Sequence, residues 1–89
     1  MAEATASKAT RYFQVRPGSE LVGKNLITSG IRPRFNLMII AIEKAGGRMT
    51  FNPHPEVTIE EGDTLIAVGP PENFPGLQAV CRPDQGEEA

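Results

Sequence analysis

Few side chains in this sequence could do covalent chemistry. His54 is the single histidine and Cys81 the single cysteine. They cannot assemble a zinc site, which takes about four protein ligands when structural and three when catalytic. Cys81 lies near the C-terminal end, a poor place to hold a nucleophile, and His54 between Pro53 and Pro55 reads as a loop residue. Glu60, Glu61 and Asp63 offer oxygens to a cation but lack the alternating spacing of a calcium loop. Asp63, just after a glycine, is expected to bond the amides of its own turn. No GxGxxG or GxxxxGK[ST] phosphate cradle is present. With no nucleophile, base or metal set converging, no enzyme is expected.

Arg32 and Arg34 are the more informative pair. A guanidinium fork suits phosphate oxygens, and Pro33 stiffens the backbone between the two. The competing reading is electrostatic: cations are favoured after a helix C-terminus in any case.

These arginines sit directly before Leu37-Met-Ile-Ile-Ala-Ile42, a branched, apolar run that ends at Gly46-Gly47. Its length and composition predict a central strand covered on both faces. Ala45-Gly46-Gly47 predicts a tight hairpin with Arg48–Asn52 returning antiparallel. Arg11–Arg16 is a first strand closed by Pro17-Gly18, and Thr64–Gly69 a last, buried one closed by Pro70-Pro71. Between them, Pro53-His54-Pro55 must be extended loop, and Val57 and Ile59 alternate as a short edge-like segment. A short helix is expected from Gly23 or Lys24 to a stop at Gly30, preceded by Leu21 and Val22 as an extended anchor. A second helix is expected at Leu77 to Val80, since Pro75-Gly76 interrupts what precedes it.

The chain has 89 residues and a formal charge of −2, without a basic tract or interleaved aromatics. This argues against a nucleic-acid module. No apolar run reaches the roughly 18 residues of a membrane span, so direct insertion is not expected. One cysteine excludes an internal disulfide and fits a reducing compartment. Residues 1–10 and 82–89 have compositions that bury little and are expected to be disordered. Residues 11–81 then form one small domain, of a size that leaves apolar surface uncovered and favours pairing with a second copy.

Ser19-Glu-Leu-Val-Gly-Lys-Asn-Leu26, Gly30-Ile-Arg32, Ile39-Ile-Ala-Ile42, Phe51-Asn-Pro53 with Pro55, and Glu61-Gly-Asp-Thr-Leu-Ile66 with Val68-Gly69 follow one another in unbroken order. Together they resemble the TrkA-C domain, the C-terminal half of the RCK (regulator of potassium conductance) module. The resemblance implies an α+β fold, a small mostly antiparallel sheet of about four strands with two short helices. It implies a homodimer on the cytoplasmic side of a prokaryotic membrane, attached to a potassium channel or transporter host. In some members cyclic di-AMP binds at the dimer interface, which makes it or another nucleotide the candidate ligand. The residues matched to that cleft are Ile31, Arg32, Pro53 and Pro55, with Arg34 added from the basic loop. An asparagine common in the family is Met38 here, and thioether sulfur cannot replace an amide's hydrogen bonds.

Two functional expectations follow. The first is a regulatory domain that dimerises through its sheet and senses a small anion. Facing Arg32 side chains would repel across the twofold axis until an anion sits between them. The second is a purely structural dimerisation module with no ligand.

Overall fold

The computed structural model describes residues 8–83. Four strands, β1 (Ala9–Gln14), β2 (Met38–Glu43), β3 (Met49–Phe51) and β4 (Thr64–Gly69), form one antiparallel sheet in the order β1-β4-β2-β3. Two helices, α1 (Ile31–Phe35) and α2 (Phe74–Cys81), complete it, with a 3₁₀ turn at Pro71–Asn73 leading into α2. The expected α+β fold is the one observed.

One sheet face carries the core. Phe13, Leu65 and Ile42 from three strands meet Ile31 of α1 and Phe74, Leu77 and Cys81 of α2, with Leu21 and Ile59 filling in from the connections. Register explains the sorting: Phe13 pairs with Leu65 and Ile42 with Leu65, so all three project to the same side. The opposite face has no helix on it. Ile66 pairs with Tyr12 and with Ala41, and Ala41 with Phe51. Ala41 and Ile66 are buried among these neighbours, whereas Tyr12 and Phe51 remain largely exposed.

The expectation of a doubly covered central strand needs correction. β4 is the strand buried on both faces, at Leu65, Ile66 and Ala67. Of Leu37–Ile42, Leu37, Ala41 and Ile42 are enclosed, but Met38 is 48% and Ile40 38% exposed. The register shifts between Ile39 and Ala41, leaving Ile40 as a bulge, and β3 accompanies β2 only from Ala41 onward.

The first helix is also displaced from its expected position. No α-helix forms between Gly23 and Gly30. Gly23 takes φ 87 in a turn closed by Lys24 N–H to Leu21 C=O, a conformation that suits glycine and stops a helix. Asn25 then accepts from the amides of Ile27 and Thr28 through its side chain, giving a single capped turn. The helix starts after Gly30, over residues that read as a basic loop. Pro33 is tolerated because it lies in the first turn, where its missing N–H has no intrahelical acceptor to lose.

At the other end, Pro75-Gly76 does not interrupt α2 but belongs to its first turn. Gly76 lets α2 approach α1 closely: a Cβ there would stand 2.8 Å from the Phe35 ring. The hairpin forms as expected, with Gly47 at φ 98. Val22 is exposed, so Leu21 rather than the pair anchors its segment, together with buried Ser19, whose hydroxyl donates to Val80 C=O at 2.6 Å. Of the segments expected to be disordered, residues 1–7 and 84–89 lie outside the described residues. Ala9 and Thr10 are ordered partners of Gly69 and Val68.

Candidate functional site

A groove of about 680 Å³ opens where β3 ends. The cause is local. Asn52 donates its amide to Ile40 C=O at 2.8 Å, and the chain then turns away through Pro53 and Pro55. Prolines have no N–H to continue the ladder, so Met38 and Ile39 keep a free edge on that side. The departing segment is caught instead by Leu26, whose amide donates to Pro55 C=O at 3.0 Å. The groove lies between these two paths. Ile31 and Leu37 are buried at its base, and Pro53 is buried in its wall.

Four of the five residues singled out in the sequence meet here: Ile31, Arg32, Pro53 and Pro55 all line the groove. Arg32 is exposed on α1, and its side chain makes no hydrogen bond or ion pair among the described residues. Arg34 is placed elsewhere. Its guanidinium donates to Glu20 Oε2 at 2.7 Å and lies 4.9 Å from the centre of the Phe35 ring, outside the groove wall. Asn52 is a further polar lining residue, exposed and at φ 48. Its amide stands in the wall opposite α1, while Met38 offers no such group. In the sequence Asn52 stood only as part of the Phe51-Asn-Pro53 stretch, with no role given to it.

The groove's size and apolar lining with a few polar groups suit a small ligand, for which sites of roughly 300–1,000 Å³ are usual. The arrangement can supply one cation, one amide and flat apolar walls. Its lining among the described residues includes no nucleophile or general base.

The remaining reactive types are structural. His54 is exposed, and its Nδ1 accepts from the Glu56 amide at 3.2 Å. Cys81 is buried, and burial pushes its thiol up to about 12, offset only in part by the Arg82 charge. Such a thiol is unreactive at neutral pH. Asp63 accepts from the Glu60 amide at 2.9 Å, as its place in the turn predicts, and also from Lys44 Nζ at 2.7 Å. Burial lowers the Lys44 pKa, but hydrogen bonds and charge from Asp63 and Glu60 outweigh it, so the net shift is upward. No cluster of three or more His, Cys, Asp or Glu able to hold a metal exists among the described residues.

The sequence profile of the TrkA-C domain matches residues 11–82. The chain belongs to the TrkA-C domain family. It is 33% identical over 58 residues to the K(+)/H(+) antiporter subunit KhtT of Bacillus subtilis (strain 168), which covers 65% of this chain and 35% of that protein. The chain thus spans about a third of that relative.

Among solved structures, it is similar to the RCK_C domain dimer of S. agalactiae BusR in complex with c-di-AMP. There the identity is 26% and the TM-score 0.74, over 82% of this chain and 95% of that one. The potassium transport protein KtrA RCK C domain, in complex with the same cyclic dinucleotide, shares 25% identity at a TM-score of 0.71, over 81% of each chain. The GsuK RCK domain shares 25% identity at a TM-score of 0.70, over 83% of this chain and 16% of that one. No helix among the described residues is long and apolar enough to cross a membrane.

Proposed function

We propose that this TrkA-C domain is a regulatory module of a prokaryotic potassium channel or transporter, sited on the cytoplasmic side of the membrane. It pairs with a second copy and binds a cyclic dinucleotide in the groove beside α1. The observation that carries this reading is the convergence of Ile31, Arg32, Pro53 and Pro55 on one groove from segments about twenty residues apart. Arg32 supplies a charge-assisted hydrogen bond to a phosphodiester. Asn52 supplies an amide of the kind that pairs with an adenine edge through two hydrogen bonds, and Pro53 and Pro55 supply apolar surface for the base. The BusR and KtrA domains that bind cyclic di-AMP make it the first ligand to try.

Regulation follows from charge. Two Arg32 side chains facing each other across a twofold axis disfavour the closed pair, and an anionic ligand between them reverses that preference. The alternative is a dimerisation module without a ligand. Met38 favours it, because a thioether occupies a position where an amide would hold the ligand.

Isothermal titration of the chain with cyclic di-AMP separates the two. Saturable binding is expected, weakened about tenfold or more in Arg32→Ala, as befits a lost hydrogen bond to a charged group of roughly 1.5–3 kcal/mol. Absence of binding to the unaltered chain leaves only the structural reading.

A further inference from the structure

A second, smaller cavity of about 210 Å³ adjoins the groove and shares its wall at Arg32, Leu37 and Met38. Its far side is formed by Lys8, Asn36 and the end of β4. Backbone geometry holds these parts together. Lys8 directly precedes Ala9, which pairs with Gly69. At Gly69 a Cβ would stand 2.6 Å from Leu37 Cδ2 and 3.1 Å from Asn36 O, so the α1–β2 connection lies hard against β4. Asn36 caps α1 in the left-handed region, and its amide donates to Arg32 C=O at 2.8 Å. Lys8, Arg32 and Asn36 thus line the cavity with an ammonium, a guanidinium and a carboxamide residue, and no carboxylate lines it among the described residues. The Lys8 side chain, like that of Arg32, makes no hydrogen bond or ion pair within the described residues. Its volume is roughly seven times the ~30 Å³ share of a liquid water, enough for one phosphate group with some solvent.

We infer that this cavity is a phosphate subsite, in which Lys8 and Arg32 together hold the terminal phosphate of a nucleotide whose base lies in the groove. The inference rests on the nucleotide reading of the groove and adds a specificity to it. A cyclic dinucleotide has two phosphodiesters, each singly charged, and no terminal phosphate. Hydrolysis of one of them adds water and leaves one phosphodiester and one phosphomonoester, the latter carrying about −1.5 to −2 at pH 7. Only the opened form places that extra charge where Lys8 can meet it. Lys8 is thus a specificity residue that lets the site take the opened dinucleotide as well as the ring.

The test is titration calorimetry with two probes, cyclic di-AMP and the linear 5′-phosphorylated dinucleotide pApA. The unaltered chain, Lys8→Ala and Lys8→Arg are compared; Lys8 is exposed, so neither variant endangers the fold. Lys8→Ala is expected to weaken pApA by about three- to tenfold, in line with a solvent-facing charge-assisted contact. Cyclic di-AMP should shift by less than about twofold, and Lys8→Arg should retain pApA binding. If cyclic di-AMP binds and Lys8→Ala leaves pApA unchanged, the subsite is wrong while the groove reading stands. Equal losses for both probes also overturn it, because Lys8 would then act as a general attractor of anions. If neither probe binds the unaltered chain, the groove reading and the subsite fall together.

Discussion

Replacing Phe51 by serine tests whether the helix-free face of the sheet is where two copies meet. Phe51 is 74% exposed and Tyr12 63%, and they stand on β3 and β1, the two edges of the same face. Three inter-strand spacings of about 4.8 Å separate them, so the apolar patch is roughly 14 Å across. An aromatic side chain buries about 150–250 Å² when covered, which leaves roughly 110–185 Å² of Phe51 open to a partner. At about 25 cal/mol/Å² that is about 3–4.5 kcal/mol in each copy. If a partner covers only half of it, twofold symmetry still restores about 3–4.5 kcal/mol in the pair, or two to three orders of magnitude in the dimer Kd. Sedimentation or light scattering across a dilution series reads this directly. Folding of the monomer should change by about 1 kcal/mol at most, since Phe51 sits on an exposed edge strand. A Phe51→Ser chain that dimerises as tightly as the original, or an original chain that stays monomeric at high concentration, would refute the assignment of this face.

Two further outcomes concern the scaffold. Gly76→Ala should lower the urea midpoint: a Cβ 2.8 Å from the Phe35 ring overpacks the α1–α2 contact by about 1–3 kcal/mol, more than the ~1 kcal/mol gained in helix propensity. A rise in the midpoint would show that the ring moves aside freely. Stability should also fall in alkali. The Cys81 thiol is held protonated up to about 12 in the fold but ionises near its ordinary value of 9.0 once unfolded. Its contribution is therefore complete below about pH 9 and lost at about 1.4 kcal/mol per pH unit as pH rises towards 12. Lys44, raised above 10.5 in the fold, adds to the loss at the upper end of that window. Unfolding curves from pH 8 to 11 should show the decline, and Cys81→Ala should flatten its first part.

The strands were legible because their signals are short-range. Alternation in Arg11–Arg16, the Gly46-Gly47 hairpin and the proline stops at Pro53 and Pro70 each act within a few residues of the structure they specify. The helices were legible in number but not in extent, because proline and glycine have two meanings. Pro33 read as a stiffener of a basic loop and Pro75 as an interruption, yet each lies in a first turn where the missing N–H costs nothing. Gly76 read as an interruption, whereas its function is to admit Phe35, which is visible only once α1 and α2 are placed side by side. The site divides in the same way. Arg32 and the two prolines were singled out by resemblance to a family cleft, and all three line the groove. Lys8 lies 24 positions before Arg32 and reaches the same wall only through the pairing of Ala9 with Gly69, a register no local pattern announces.

Met38 and Ile40 connect the two proposed activities. Both line the groove, and Met38 also pairs with Val68 on the strand bordering the open face. Pro53 and Pro55 carry the chain away from this half of β2 just after the Asn52–Ile40 bond, so one departure both opens the groove and leaves apolar surface uncovered. A second copy seated on that surface must therefore touch the rim of the groove, and the two equilibria cannot be independent. Linkage then requires that whatever factor the ligand contributes to pairing, pairing contributes to ligand affinity. Charge sets the scale. Two guanidinium groups about 8 Å apart repel by roughly 0.5–2 kcal/mol between the limits of bulk water and a protein surface. Neutralising that repulsion would strengthen pairing by about two- to thirtyfold. On this view Arg32 works chiefly by opposing the dimer when the groove is empty, and the ligand's role is to remove that opposition.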